Sequence, residues 1–305
     1  MDRNDNMSEN VTIYDIAKAC DVSIATVSRV LNKSPRVSQK TKEKILAAMK
    51  DLQYNPSPFA RSMGLQSLSL IGIVCPTTAL EPVGEGVAHI THFFQRHGYG
   101  TLLCIGTEED IHQTLKNQHV DGIMSLYDAL PPDIASGVPT IVIEGNHEDV
   151  YQIQSAIAPK IDEIIENLAK QGFTRPLCLW DDRLYLKRLK NALNRHDVKV
   201  ISVPSEPDWT KLHHHDCVIA STAPLAVLAA SYLRTENQSL PVVSLSESPL
   251  TEALGLTSLQ THFLRQCETG AQQLLTVMTQ PETAVPIRTE FQAHWIYRAS
   301  FPVKP

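Results

Sequence analysis

The residues in this chain best placed to do chemistry on a partner are Ile24, Ala25, Thr26, Ser28 and Arg29, in the run Val-Ser-Ile-Ala-Thr-Val-Ser-Arg-Val-Leu-Asn at positions 22–32. Val27, Val30 and Leu31 fall at helical spacing and take the inward face, which leaves that set free to point elsewhere. An exposed polar helix face of this kind suits the DNA major groove, which admits a helix and presents base edges to it. Such a helix needs a rigid seat. Thr12 caps a first helix, and Asp15 three residues later completes a capping box. Ile16 and Ala17 face inward, Cys20-Asp21-Val22 makes the turn, and Ser23 caps the second helix. A third helix starts at Ser38, with Ile45, Ala48, Met49 and Leu52 on one apolar stripe. Two helices this short bury too little apolar surface alone, so the three together form a helix-turn-helix headpiece. A short helical pair could show this spacing by chance, but the caps, the turn and the third helix agree.

The charge distribution supports a nucleic-acid partner. Residues 11–67 carry nine Lys/Arg (Lys18, Arg29, Lys33, Arg36, Lys40, Lys42, Lys44, Lys50, Arg61) against four acids (Asp15, Asp21, Glu43, Asp51). The chain as a whole is −6, so a segment near +5 sits on a body of about −9. A cationic head on an acidic body is the asymmetry expected when one end alone meets phosphates.

The 305 residues leave room for a headpiece of roughly 60 and a body of roughly 240. No apolar run approaches the roughly 20 residues needed to span a bilayer. Residues 1–10 are polar and acidic, which reads as a disordered lead-in rather than a signal peptide, with Met7 a second candidate start. The six cysteines (20, 75, 104, 178, 217, 267) show no paired spacing and read as reduced core residues of a cytoplasmic protein.

From Leu70 the period changes. Leu70-Ile-Gly-Ile-Val-Cys75 reads as a strand buried on both faces. Helices are expected at 83–97, 108–118, 159–171, 183–195, 223–236 and 263–279, alternating with strands at 101–105, 122–126, 140–143, 176–180, 198–203, 216–220 and 241–245. Strands alternating with helices imply parallel sheets. His213-His-His215 beside Asp216 invites a metal reading, but three consecutive residues cannot all face one ion from a regular element, which favours a solvated loop. No dinucleotide fingerprint, phosphate loop or Gly-x-Ser-x-Gly nucleophile motif is present. Asp181-Asp182 and Glu108-Glu109-Asp110 read as solvated loop or helix-start acids. Neither an enzyme nor a cofactor is expected. The rival class is a sugar-binding or sugar-modifying body with an accessory headpiece.

The run Thr-Ile-Tyr-Asp-Ile-Ala…Val-Ser…Thr-Val-Ser-Arg-Val-Leu-Asn, followed by Arg-Val-Ser…Thr…Lys-Ile and Leu-Gln-Tyr-Asn-Pro-Ser, resembles the lactose-repressor (LacI/GalR) family of bacterial transcription regulators. The likeness is dense over 11–66 and thinner to about residue 300, through Ile-Gly-Ile-Val-Cys-Pro at 71–76, Gln-His-Val-Asp-Gly-Ile at 118–123 and Gly-Val-Pro-Thr-Ile-Val-Ile at 137–143. It implies a small all-α helix-turn-helix headpiece (11–55), a hinge (56–66) and an α/β two-lobed periplasmic-binding-protein-like body with parallel sheets (67–305). Lobe 1 is expected at about 68–149 and 262–280, and lobe 2 at about 150–261 and 281–300.

The resemblance also implies a repressor that binds a pseudo-palindromic operator as a homodimer. Ile24, Ala25 and Arg29 then touch base edges, Arg29 by gripping guanine O6 and N7 with two parallel bonds. The alternative for Arg29 is a phosphate contact. Tyr14, Thr26, Lys40 and Thr41 hold phosphates. Thr12, Ser23, Ser28, Asn32, Tyr54, Ser57, Ala60 and Arg61 complete the DNA-facing set. Ser57 caps, and Gly64 ends, a hinge helix too short to persist alone, since isolated helices need about 12–15 residues. The resemblance pairs two such helices in the minor groove with Met63 as a wedge; the alternative is an unstructured linker. No heptad repeat follows Arg298, so nothing suggests a tetramer-forming coiled coil.

In the body the family's usual contacts are altered. Thr77 follows Pro76 where an acid is usual, and Tyr185, with Arg183 nearby, stands at the expected arginine. Ser221-Thr222 replaces Asn-Asp, Ser246-Glu247 replaces Asp-Asp, and Glu144-Gly145 replaces Asp-Arg. No usual contact segment is recognisable around Gln152–Ser155. The expected effector cleft is lined by Thr77, Arg183, Ser221, Thr222 and Glu247, at strand ends where open parallel sheets place ligands. Trp180 or Trp209 could add a stacking face or simply pack. The ligand expected first is a sugar or sugar derivative, then another small metabolite, then none at all. Ligand shifts the lobes and so the pairing of the hinge helices, with release from DNA the family's commoner mode.

Overall fold

The computed structural model describes residues 13–31, 37–52, 69–76, 81–127, 131, 137–145, 147, 150–182, 187–203, 208–280, 285 and 287–301. The whole expected hinge, with Thr12, Asn32, Tyr54, Thr77 and Arg183, lies outside them.

Three helices, α1 (Ile13–Ala19), α2 (Ile24–Leu31) and α3 (Gln39–Asp51), form the headpiece. Ile16, Ala17, Cys20, Val27, Val30 and Ile45 bury together at its centre. Asp21 takes a left-handed φ of 50° in the turn, a conformation that Asp tolerates better than bulkier residues. The Ser38 hydroxyl accepts from the Thr41 N–H and starts α3. The Lys44 ammonium donates to the Cys20 carbonyl at 2.9 Å, tying α3 to the turn.

The body is two six-stranded sheets. The first has the order β11-β5-β4-β3-β1-β2 and is parallel throughout. Its strands are β1 (Leu70–Val74), β2 (Gly100–Cys104), β3 (Gly122–Leu126), β4 (Thr140–Ile143), β5 (Tyr151–Ser155) and β11 (Arg288–Phe291). The second runs β12-β10-β9-β8-β6-β7, parallel except that β12 is antiparallel to β10. It comprises β6 (Pro176–Asp181), β7 (Lys199–Val203), β8 (Cys217–Ala220), β9 (Val242–Ser244), β10 (Thr257–Gln260) and β12 (His294–Ile296).

The first sheet is covered by α4 (Glu81–Arg96), α5 (Glu108–Asn117) and α10 (Phe263–Thr279). The second carries α6 (Ala158–Lys170), α7 (Lys187–Asn194), α8 (Ala223–Thr235) and the short α9 (Pro249–Ala253). Helix α10 lies hard against the first sheet. A Cβ at Gly270 would sit 2.7 Å from Ile143 Cδ1 and 3.0 Å from Met124 Cε, so any larger residue there would have to push these buried side-chain tips aside. All six cysteines are buried, and none of them forms a disulfide. Among the described residues, no helix is long and apolar enough to cross a membrane.

Sheet membership corrects the expected lobe boundaries. Residues 151–155 belong to the first sheet, so the chain leaves lobe 1 after Ser155 and not at residue 150. Strand β11 also joins the first sheet, and only β12 returns to the second. The missed strand, Tyr-Gln-Ile-Gln-Ser, looks half polar, yet Gln152 and Gln154 are buried. Their amides are matched inside the protein: Gln152 Oε1 accepts from Arg288 and Gln154 Oε1 from Arg188. Hydrogen-bonded burial of this kind leaves no apolar signature in the sequence.

Candidate functional site

Two surfaces carry the chemistry expected from the sequence. On the headpiece, Ile24, Ala25 and Arg29 of α2 are exposed, Ile24 at 40% although it is a large apolar residue. Tyr14 and Lys40 are exposed as well. Ser23 Oγ accepts from the Thr26 N–H at 3.2 Å, and the two hydroxyls meet at 2.9 Å. The side chains of Ser23 and Thr26 thus start α2 while lying at the same surface. Thr41 shares a hydroxyl bond with Ser38 at 2.7 Å at the start of α3. The structure therefore brings Tyr14, Ser23, Ile24, Ala25, Thr26, Arg29, Lys40 and Thr41 onto one small three-helix unit. Ser28 lies on α2. Ser57, Ala60, Arg61 and Met63, like Thr12, Asn32 and Tyr54, fall outside the described residues.

The second surface is a cavity of about 450 Å³ between the sheets, at the carboxyl ends of their strands. That size suits a small ligand. Tyr127 after β3, Glu144 after β4 and His262 after β10 all line it. Each has a left-handed backbone, with φ of 59°, 57° and 57°. Three non-glycine residues held in that costly region at one cavity are the kind of local strain that clusters at functional sites.

The polar wall is built from buried groups. Ser221 lines the cavity, and its Oγ accepts from the Asp181 N–H at 2.9 Å. Thr222 stands at the N-terminus of α8 but makes no side-chain cap, and its buried Oγ1 has no partner among the described residues. A hydroxyl in that position normally satisfies a helix N–H, so this one is left for something else. The Glu247 carboxylate, also on the wall, is held by Arg298 in a fork, at 2.7 Å and 3.0 Å. It also accepts from Ser258 and Thr251. Burial alone would raise its pKa, but the bonds from Arg298 and Ser258 outweigh it and hold the group below the usual carboxylate range.

Glu144 is the deepest charge. Its Oε1 accepts from the Ser155 N–H at 3.0 Å, from the Ser155 hydroxyl and from Gln266 Nε2 at 2.8 Å. Its Oε2 faces Arg188 at 3.2 Å, and Arg188 also donates to Gln154 and to the Ser155 carbonyl. Arg188 is on α7 in the second lobe, while Glu144, Gln154 and Ser155 are in the first. Burial dominates here and raises the Glu144 pKa, with Ser155, Gln266 and Arg188 offsetting part of the rise. The same burial, with Glu144 adding to it, drives the Tyr127 phenol well up. Tyr127 stacks on Phe263, ring centroids 5.3 Å apart and 9° from coplanar, to give the cavity an aromatic wall.

Of the expected cleft residues, Ser221, Thr222 and Glu247 line this cavity, while Thr77 and Arg183 fall outside the described residues. Trp180 and Trp209 pack instead of lining it. Trp180 is buried beneath the Lys190 ammonium, and Trp209 stacks on Tyr232 of α8. His215 faces the Arg175 carbonyl, and no group of three or more metal-ligating side chains occurs among the described residues. Sequence reasoning missed Tyr127, Arg188, Phe263 and Gln266. Arg188 lies between Lys187 and Leu189 in a basic helix, and nothing local separates it from Lys187 or Lys190. Only its reach across the lobes does so.

Comparison with known proteins gives a consistent picture. The family model for bacterial regulatory proteins of the lacI family matches residues 12–57. An HTH-type transcriptional regulator of Lachnoclostridium phytofermentans is 27% identical over 94% of this chain and 98% of that protein. The ribose operon repressor of Halalkalibacterium halodurans is 38% identical over 39% of this chain and 38% of that protein. The crystal structure of the lac repressor dimer bound to operator and the anti-inducer ONPF superposes with a TM-score of 0.75, at 22% identity, over 96% of this chain and all of that one.

Proposed function

This chain belongs to the LacI/GalR family of DNA-binding transcriptional regulators, and from that premise we propose that it is an operator-binding repressor whose DNA affinity is set by a small uncleaved ligand in the interlobe cavity. The relatives are named as regulators, which points away from an enzymatic role. The observation that carries the DNA half is the exposed α2 surface: an arginine, an isoleucine and an alanine held outward by a buried three-helix core in a headpiece segment near +5. Arg29 reads guanine, while Ile24 and Ala25 read thymine methyls or groove shape. One headpiece spans only a short half-site, so two copies act together on a pseudo-palindrome.

The ligand half rests on the unpartnered Thr222 hydroxyl beside an aromatic wall in a cavity of about 450 Å³. A sugar-like molecule fits such a wall, with hydroxyls for the polar side and C–H faces for the rings. It alters DNA binding only if it binds the two lobe arrangements with different affinity. Selection of DNA sites from a random pool, followed by anisotropy titration of wild type and Arg29→Ala, tests the first half. Wild type should enrich a two-fold-related site. The variant should lose that preference while keeping weak, salt-sensitive binding. An unchanged preference would remove Arg29 from the readout. Light scattering should give a mass near twice that of the chain.

A further inference from the structure

Resting on the ligand-binding reading, we infer that the ligand carries an anionic group, a phosphate or a carboxylate, which seats against His262, Arg265 and His294 where two crossovers between the lobes run side by side. Strand β10 of the second sheet leads into α10 on the first, and β11 of the first sheet leads into β12 of the second. Antiparallel pairing of β10 with β12 lays the two passages together, with Gln260 opposite His294. There the His262 and His294 rings meet, with centroids 5.1 Å apart. Arg265 follows in the first turn of α10. His262 and Arg265 also line the cavity.

Three basic side chains are thus gathered at one place, and among the described residues none of them has a carboxylate partner. Basic groups set this close oppose one another's charge: burial, then His294, then Arg265 hold the His262 pKa below its ordinary 6.5. An anion between them reverses the repulsion. It draws protons onto the rings, and its own affinity rises as they charge. Arginine adds two parallel donors suited to a phosphate or a carboxylate. Helix α10 begins at the same rings without a side-chain cap, so the positive end of its dipole acts in the same sense. The acids on the wall leave this site open. Glu144 is held by Arg188 and Glu247 by Arg298. Glu85 and Glu252 are exposed, where water and salt screen them. None of the four is among the charges that shift His262.

The test is a thermal-shift and calorimetric titration of the full chain, with and without the selected operator DNA. The probes are ribose, ribose 5-phosphate, glucose, glucose 6-phosphate, gluconate and inorganic phosphate. At pH 6 an anionic probe should bind at least ten times more tightly than its neutral parent. A gap for the sugar phosphates alone assigns a phosphate; a gap for gluconate assigns a carboxylate. From pH 5.5 to 8 the gap should shrink. Gluconate reads this cleanly because its charge is constant there, whereas a phosphate ester gains charge near pH 6. In Arg265→Gln and in His294→Gln, both at exposed positions, the gap should close several-fold, and His294→Gln should also flatten the pH dependence. A neutral sugar that binds as tightly as its anionic counterpart overturns the inference and leaves the ligand-binding reading standing. A gap unmoved in both variants also overturns it, as does inorganic phosphate that binds as tightly as the sugar phosphates. If no probe moves either the melting or the operator affinity of wild type, the ligand-binding reading itself falls, and this inference with it.

Discussion

On the headpiece, Arg29 and Lys40 are exposed with no partner among the described residues, and Ile24 stands in solvent. In the cleft, Glu144, Glu247, Arg188, Arg298 and Ser221 are all engaged by groups of the protein itself. The first surface is built for a large, fixed partner that brings its own charge and desolvates the face on contact. The second is crossed by bonds within the protein, with Thr222, Glu85, Glu252 and Arg265 also on its wall, so a ligand there must fit around bonds that already exist. Open groups mark a surface finished by its partner, whereas closed networks mark one finished by its own fold. The headpiece can therefore be rebuilt one residue at a time, while the cleft responds as a unit.

The sharpest way to break this comparison is to unfold one region without the other. Ile45 is fully buried at the centre of the headpiece. Ile45→Ala should cost about 2–5 kcal/mol, which a unit of this size cannot absorb. Calorimetry should show the body's transition unchanged while operator binding disappears. A body transition that falls by a similar amount would mean the two regions fold as one.

Arg298→Ala tests the closed network. It strands the largely buried Glu247 without its cation, and removing one partner of such a pair costs about 3 kcal/mol, at the low end for buried pairs because both groups keep some exposure. The body should melt well below wild type, and Arg298→Ala combined with Glu247→Gln should recover part of the loss. Additive losses would show that the network does not act as a unit.

A smaller effect is expected at the third headpiece helix. Ser38→Ala removes the hydroxyl that starts α3 and should cost about 1 kcal/mol. Operator binding should weaken without any change in sequence preference. A changed preference would place Ser38 in the readout itself.

The smallest effect concerns the sign of pH dependence. Glu247 has a lowered folded pKa, so its stabilisation is present above its ordinary value of 4.5 and lost as pH falls through the lowered one. Glu144 has a raised folded pKa, so its folded form holds an extra proton above 4.5, and stability falls as pH rises through that window. The deficit of Glu247→Gln should be largest near neutral pH and shrink in acid. Relative to wild type, Glu144→Gln should gain as pH rises from 4.5. Parallel profiles for the two variants would mean that one of the carboxylates is in a different protonation state from the one its partners imply.

How much of this was legible without coordinates differs between the regions. The three headpiece helices, the turn at 20–22, the Ser38 cap and the outward Ile24, Ala25 and Arg29 of α2 follow from residues within a few positions of one another, and the structure places them where the pattern points. Capping and helical periodicity are local interactions, so a local reading reaches them. In the body, β1 to β4 and β6 to β9 were readable as apolar runs, because strands buried on both faces are continuously apolar, whereas β5, β10, β11 and β12 were not expected as strands.

The tertiary structure alone decided the rest. Strand β5 was hidden because buried Gln152 and Gln154 satisfy their amides against Arg288 and Arg188, residues 136 and 34 positions away. Arg188 looked like any lysine-rich helix residue until the second lobe set it against Glu144, 44 positions earlier. Glu247 lines the cavity at the position read from the sequence, but its fork with Arg298, 51 positions away, left no trace there. Tyr127 and Phe263 met as stacked rings only because α10 crosses back to the first sheet. In each case the deciding partner is distant in sequence. A side chain's type and neighbours fix its local geometry, but whether its charge or hydroxyl is spent or available depends on which long-range partner the packing brings within 3 Å or so.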